Sequence, residues 1–200
     1  MIGLLQRFYN RIRTAYQVRK YDSFTMADYL RRSGAQIGEH CNIISTSLGT
    51  EPYLIRIGNH VAIAHGVRFI THDGGTWLFR EEVPDLQVFG PIVIEDNCVI
   101  GENAVLFPGI RIGPNSIVGA GSVVITDVPP NTIAMGVPAR PFGSVEKYKE
   151  KCFEKWKRQR PDGVTIEPGA TWWNSRHFAD NREKLRRHLL ELFESELRHP

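Results

Sequence analysis

Seven histidines are spread through the 200-residue chain, and imidazole is the side chain best suited to moving a proton near neutral pH. His40, His60 and His65 fall inside a regular repeat, and His177, His188 and His199 lie in a charged C-terminal stretch. His72 differs. It closes the β-type run in FITHDGGTWLFR (69–80), where an otherwise regular aliphatic rhythm stops. An imidazole there can take a proton from an acceptor hydroxyl or amine and return it to a leaving group. Asp73 is either a partner for that imidazole, a turn residue or a contact for the acceptor. Trp77 and Phe79 have flat faces on which a sugar ring can stack, or they pin the loop against a neighbouring subunit. Gly74 and Gly75 predict a turn with unusual backbone angles. A metal reading also exists: His60 and His65 have the spacing H-x4-H, and His40 precedes His60 by twenty residues. Three imidazoles with an open water position suit catalytic zinc.

The elements that must position these residues follow a period of six. The series runs Ile37, Ile43; after two extra residues Ile57, Ile63, Phe69; and after a longer excursion Ile94, Ile100, Leu106, Ile112, Val118, Val124. Glycine often follows the aliphatic residue, as at Gly38, Gly58, Gly101, Gly113 and Gly119. The fifth place is small or β-branched, including Cys41 and Cys98, which reads them as compact interior residues. Cys152 completes the set of three cysteines, and none has a CxxC partner. A period of six suits a three-sided solenoid, with one inward aliphatic per short strand, a glycine-permitted turn at each corner and three hexads per coil. Residues 72–91 leave the coil.

Composition sets the outer limits. Hydrophobic content of 42% suits a globular chain, and the formal charge of +3 fits an anionic small ligand without demanding one. Basic residues are scattered among acids, which argues against nucleic-acid binding. No apolar run reaches a membrane span, and the start is too short in apolar length and too basic for a secretory signal, so the expected location is cytoplasmic. Three segments are expected. Residues 1–33 form a helical cap, with Ile2, Leu5, Phe8, Tyr9 and Ile12 at helical spacing; this helix also offers a trimer contact or weak membrane-surface contact. Residues 34–142 form the solenoid, and 143–200 a tail with helices over 144–160 and 180–198.

The stretch GPIVIEDNCVIGENAVLFPGIRIGPNSIVGAGSVVITDVPPNTIAMGVPARP (90–141) resembles the hexapeptide-repeat acyltransferases, which include galactoside, maltose, serine and xenobiotic acetyltransferases. TEPYLIRIGNHVAIAHGVRFITHDG (50–74) is similar to sugar O-acetyltransferases found with capsule or lipopolysaccharide genes. The resemblance implies a mainly β fold, a left-handed parallel β-helix solenoid with helical N- and C-terminal extensions. It further implies a homotrimer with intersubunit active sites, acetyl-CoA as acyl donor, a sugar acceptor, His72 as general base and no metal. By the same resemblance the pantetheine arm runs along Gly119 and Ala120, with Pro138 and Arg140 near its other end. Thr126, Val99 and Glu102 stand where the galactoside-type pattern has lysine, tryptophan and serine. The expected reaction is acetylation of a hydroxyl on a sugar or surface-polysaccharide precursor. Alternatives are N-acetylation of an amino or nucleotide sugar, a zinc carbonic anhydrase of the gamma class, which shares this solenoid, and a non-catalytic scaffold.

Overall fold

Every apolar residue of the six-residue series, Ile37 to Val124, is buried, and the strands carrying them run parallel. The computed structural model describes residues 18–198. The first face of the solenoid contains β1 (Gln36–Ile37), β3 (Ile55–Ile57), β6 (Ile92–Ile94) and β9 (Ile110–Ile112). The second contains β2 (Asn42–Ile43), β4 (Ala62–Ile63), β7 (Val99–Ile100), β10 (Ile117–Val118), β12 (Thr132–Gly136) and β13 (Ala139–Ser144). The third contains β5 (Arg68–Phe69), β8 (Val105–Leu106) and β11 (Val123–Val124).

Register shows why six is the period. Ile94 pairs with Ile112, Ile100 with Val118 and Leu106 with Val124, so each coil returns after three hexads. Each inward side chain covers the one in the coil beneath, and burial of such a residue is worth roughly 1.5–3 kcal/mol. Cys41 and Cys98 lie in this core, and burial pushes both thiols up from their ordinary pKa.

The corners depart from expectation. The left-handed residue is in the fourth place of the hexad, at His40, His60, Gly66, Asn97, Asn103, Gly109, Asn115, Gly121 and Asn131. Asparagine tolerates this conformation because its short polar side chain bonds locally. The second-place glycines serve a different need. A Cβ on Gly101 would lie 2.5 Å from the Ala120 backbone nitrogen in the next coil.

Helix α1 (Met26–Arg31) covers the base, burying Met26, Ala27 and Leu30 in the same core. Arg31 ties it to the first coil through the Ile37 and Gly38 carbonyls. Ile2, Leu5, Phe8, Tyr9 and Ile12 lie outside the described residues. At the other end β13 folds back antiparallel on β12.

The chain divides into two compact units, Met1–Val145 and Glu146–Pro200. The second contains α2 (Val145–Gln159, from the junction onward), α3 (Phe178–Leu192) and α4 (Glu194–Arg198). The loop between α2 and α3 is held by the fully buried Asn181. Its amide accepts from the Thr165 nitrogen at 3.2 Å and donates to the Thr165 carbonyl at 2.7 Å. Among the described residues no helix is long and apolar enough to cross a membrane.

Candidate active site

The first coil has no strand on the third face. Residues 44–51 take its place as an irregular segment, and a short 3-10 turn at Pro52–Leu54 then leads into β3. Gly49, at φ +82°, lets this segment approach the coil above; a Cβ there would meet the Phe69 carbonyl oxygen at 2.7 Å. Thr50 and Glu51 are thereby brought to the corner where the chain leaves β5 and the excursion begins.

His72 stands at that corner. It forms an isolated antiparallel bridge with Phe89, and the Gly90 nitrogen donates to the Thr71 carbonyl at 2.9 Å, so the excursion returns beside its own start. The His72 Nδ1 is 3.0 Å from the Glu51 Oε2. The same oxygen accepts from the Thr71 hydroxyl at 2.5 Å and the Thr50 hydroxyl at 2.8 Å. These bonds, Thr71 first and His72 next, with a smaller part from Thr50, outweigh desolvation and hold the Glu51 carboxyl at a pKa of about 2. An ionised carboxylate can only accept, so Nδ1 carries the hydrogen and Nε2 is left with a lone pair. The His72 side chain is 47% exposed and that of Glu51 14%, leaving the imidazole reachable while its partner is shielded. The arrangement is that of a base aimed outward by a shielded carboxylate.

Glu51 was not among the candidates, and Asp73 does not take the part of orienting His72. The Asp73 carboxylate instead accepts from the Gly75 nitrogen at 2.8 Å and caps a 3-10 helix over Gly74–Phe79. Gly74 and Gly75 belong to that helix and have no positive φ, so they do not mark a strained turn. Trp77 and Phe79 are on its exposed side, with Arg80 over the Trp77 ring at 5.6 Å.

The remaining candidates gather near the far end. A Cβ on Gly119 would lie 2.8 Å from the Met135 Cβ, and Met135 pairs across the hairpin with Arg140. The Gly136 nitrogen donates to the Ser122 hydroxyl at 3.2 Å, which ties the hairpin to the corner containing Gly119 and Ala120. Pro138 is in the hairpin turn. Gly119 and Ala120 are at the corner between the second and third faces, whereas His72 is at the corner between the third and first.

His40, His60 and His65 do not converge. The His60 Nδ1 is 2.8 Å from the Asn97 Oδ1, and Asn97 in turn donates to Asn115 at 2.7 Å, forming a ladder up one corner. The His65 Nδ1 faces Glu102 at 3.9 Å on another. Among the described residues no three His, Cys, Asp or Glu side chains are grouped to hold a metal.

Comparison with known proteins places the chain in a family. The hexapeptide repeat of succinyl-transferase matches residues 91–126. Protein CapG of Staphylococcus aureus is 48% identical over 130 residues, covering 64% of this chain and 76% of CapG. Galactoside O-acetyltransferase of Escherichia coli K12 is 35% identical over 108 residues, 54% of this chain and 53% of that enzyme. The chain therefore spans about half the length of that relative. Among solved structures, a maltose O-acetyltransferase from Clostridium difficile 630 aligns with a TM-score of 0.44 at 27% identity, over 59% of this chain and 73% of that one. The chain belongs to the hexapeptide-repeat acetyltransferase family and is an acyltransferase.

Proposed function

We propose that this protein transfers an acetyl group from acetyl-CoA to a hydroxyl of a sugar or surface-polysaccharide precursor, with His72 as general base. The observation that carries the reading is the Glu51 contact to Nδ1, which leaves Nε2 as the proton acceptor. In the reaction Nε2 takes the hydroxyl proton as the oxygen attacks the thioester carbonyl. Collapse of the tetrahedral species breaks the C–S bond, and the imidazolium returns its proton to the departing thiolate. The products are an acetyl ester and free coenzyme A. Holding both substrates side by side removes much of the entropic cost. Ionised Glu51 keeps the imidazole in one tautomer and stabilises the imidazolium that forms.

On this reading the thioester arm follows Gly119 and Ala120, and the hairpin residues Pro138 and Arg140 meet the nucleotide end. These residues and His72 occupy different corners of one chain, which favours an active site shared between neighbouring subunits of a homotrimer built from left-handed solenoids. Trp77 and Phe79 would then face the acceptor or the neighbouring chain, with Asp73 fixing their helix. Residues 1–33 and 143–200 are extensions to the catalytic solenoid, and the protein works in the cytoplasm. The sugar acceptor is supported by the named substrate of the galactoside relative. A relative from Clostridium perfringens is an N-acetyltransferase, 50% identical over 62 residues, which keeps an amine acceptor as the second reading.

Incubation with acetyl-CoA and a panel of neutral, acidic and amino sugars, following free thiol, tests the proposal. Thiol release with hydroxyl acceptors, and an ester product labile to mild base, is expected. Release with amino sugars alone would overturn the hydroxyl acceptor.

A further inference from the structure

Residues 34–145 contain five arginines and no lysine, against ten carboxylates. Four of these arginines have partners. Arg56 and Arg111 both pair with Glu95, Arg80 covers the Trp77 ring, and Arg140 donates to the Ala139 carbonyl at 3.1 Å. Arg68 on β5 is different: among the described residues its guanidinium has no hydrogen bond or ion pair. A lone cation on a net-acidic body faces a cavity of about 370 Å³, at the small end of the range typical of ligand sites.

The lining is rich in donors. Besides Arg68 it includes Thr46, Ser47 and His65, with the Ser45 hydroxyl already donating to the Ser47 carbonyl at 3.0 Å, and it contains no carboxylate. The Ser47 hydroxyl accepts from the Gly49 nitrogen at 3.3 Å, which leaves its own hydrogen free to donate. The Glu102 carboxylate sits 3.9 Å from the lining residue His65, and Glu51, two residues beyond Gly49, is engaged with Thr50, Thr71 and His72. Such a lining matches the oxygens of a carboxylate or phosphate, which a guanidinium binds in a bidentate manner.

The cavity also adjoins the base. Gly49 and Phe69 form part of its wall, and each is followed within three residues by a member of the dyad corner, Thr50 and His72, whose side chains approach to 3.4 Å. Four residues of fully extended chain span at most about 14 Å, so the Cα atoms of Arg68 and His72 are no further apart than that, a gap the long arginine side chain can shorten. We infer that this cavity holds the anionic group of the acceptor, with Arg68 as its counter-ion, so that the enzyme selects sugars bearing a carboxylate or phosphate over neutral ones. This rests on the reading of His72 as the base.

The test compares kcat/KM for methyl galactoside, methyl galacturonoside and galactose 1-phosphate in wild type, Arg68→Gln and Arg68→Lys, with the KM for acetyl-CoA measured in each. The expected result is a preference for the charged sugars that falls about tenfold or more in Arg68→Gln, the scale of one charge-assisted hydrogen bond. Arg68→Lys, which keeps the charge, retains a larger share. The galacturonoside and the phosphate ester separate the two sources of charge. Turnover of the neutral sugar at least equal to the charged ones, an unchanged preference in Arg68→Gln, or an effect confined to the KM for acetyl-CoA would overturn the inference while leaving the base in place. Failure of every sugar to release thiol would instead overturn the acceptor reading, and the inference with it.

Discussion

Glu51 acts through His72, so its removal should affect the chemical step more than binding. Glu51→Gln keeps the shape but replaces the ionised acceptor, and loss of a charge-assisted hydrogen bond worth about 1.5–3 kcal/mol predicts a fall in kcat of roughly 10- to 100-fold with little change in KM. Glu51→Asp should recover part of that loss, which a merely structural role would not predict. The same carboxyl makes an acid-side prediction. Its folded pKa of about 2 lies below its ordinary value of 4.5. The stability it confers is complete above about pH 4.5 and is lost as pH falls towards 2. Denaturant midpoints should therefore fall more steeply across that window in wild type than in Glu51→Gln. His72 was legible because it interrupts a periodic pattern. Glu51 was not, since it is 21 residues earlier and meets His72 only after one coil has closed. The trace it left was the two extra residues in the interval from Ile43 to Ile57, the interval in which Glu51 falls.

At the level of strand and corner, the solenoid rests on two separate backbone demands. Second-place glycines permit close stacking, and fourth-place residues supply the left-handed corner. Gly101→Ala forces a Cβ to 2.5 Å from the next coil's backbone, and overpacking of this kind costs about 1–3 kcal/mol. Gly109 has φ +78° and open space where its Cβ would be; Gly109→Asn should stay within about 0.5 kcal/mol of wild type. Thermal unfolding of the two variants checks the contrast, and equal losses would refute it. The aliphatic positions were readable because burial constrains residue type directly. The corner assignment went astray because glycine in sequence signals both a positive φ and a close approach, and only the stacked coils tell the two apart. Asp73 illustrates the same ambiguity on a smaller scale, since a carboxylate beside a histidine and a helix-capping carboxylate look alike in a linear sequence.

On the scale of the whole molecule, the excursion leaves Trp77, Leu78, Phe79 and Phe89 exposed together on one loop. An apolar group of this size commonly marks a binding surface. A trimer would give it a partner and would bring His72 of one chain towards the Gly119–Ala120 corner of another. The solenoid itself was legible from periodicity, whereas the second unit was legible only as a stretch of helices. Helical spacing announced its helices, but the buried Asn181 clamp that orders its loop has no counterpart in the pattern of charges. All of these features serve one claim, that the imidazole at the mouth of the excursion draws the proton from the acceptor. The most direct measurement is the rate of acetyl-CoA-dependent thiol release by His72→Ala, in a particle whose mass and melting match wild type. Loss of a general base predicts a rate lower by about 10²–10⁴-fold; transfer at the wild-type rate would contradict the account.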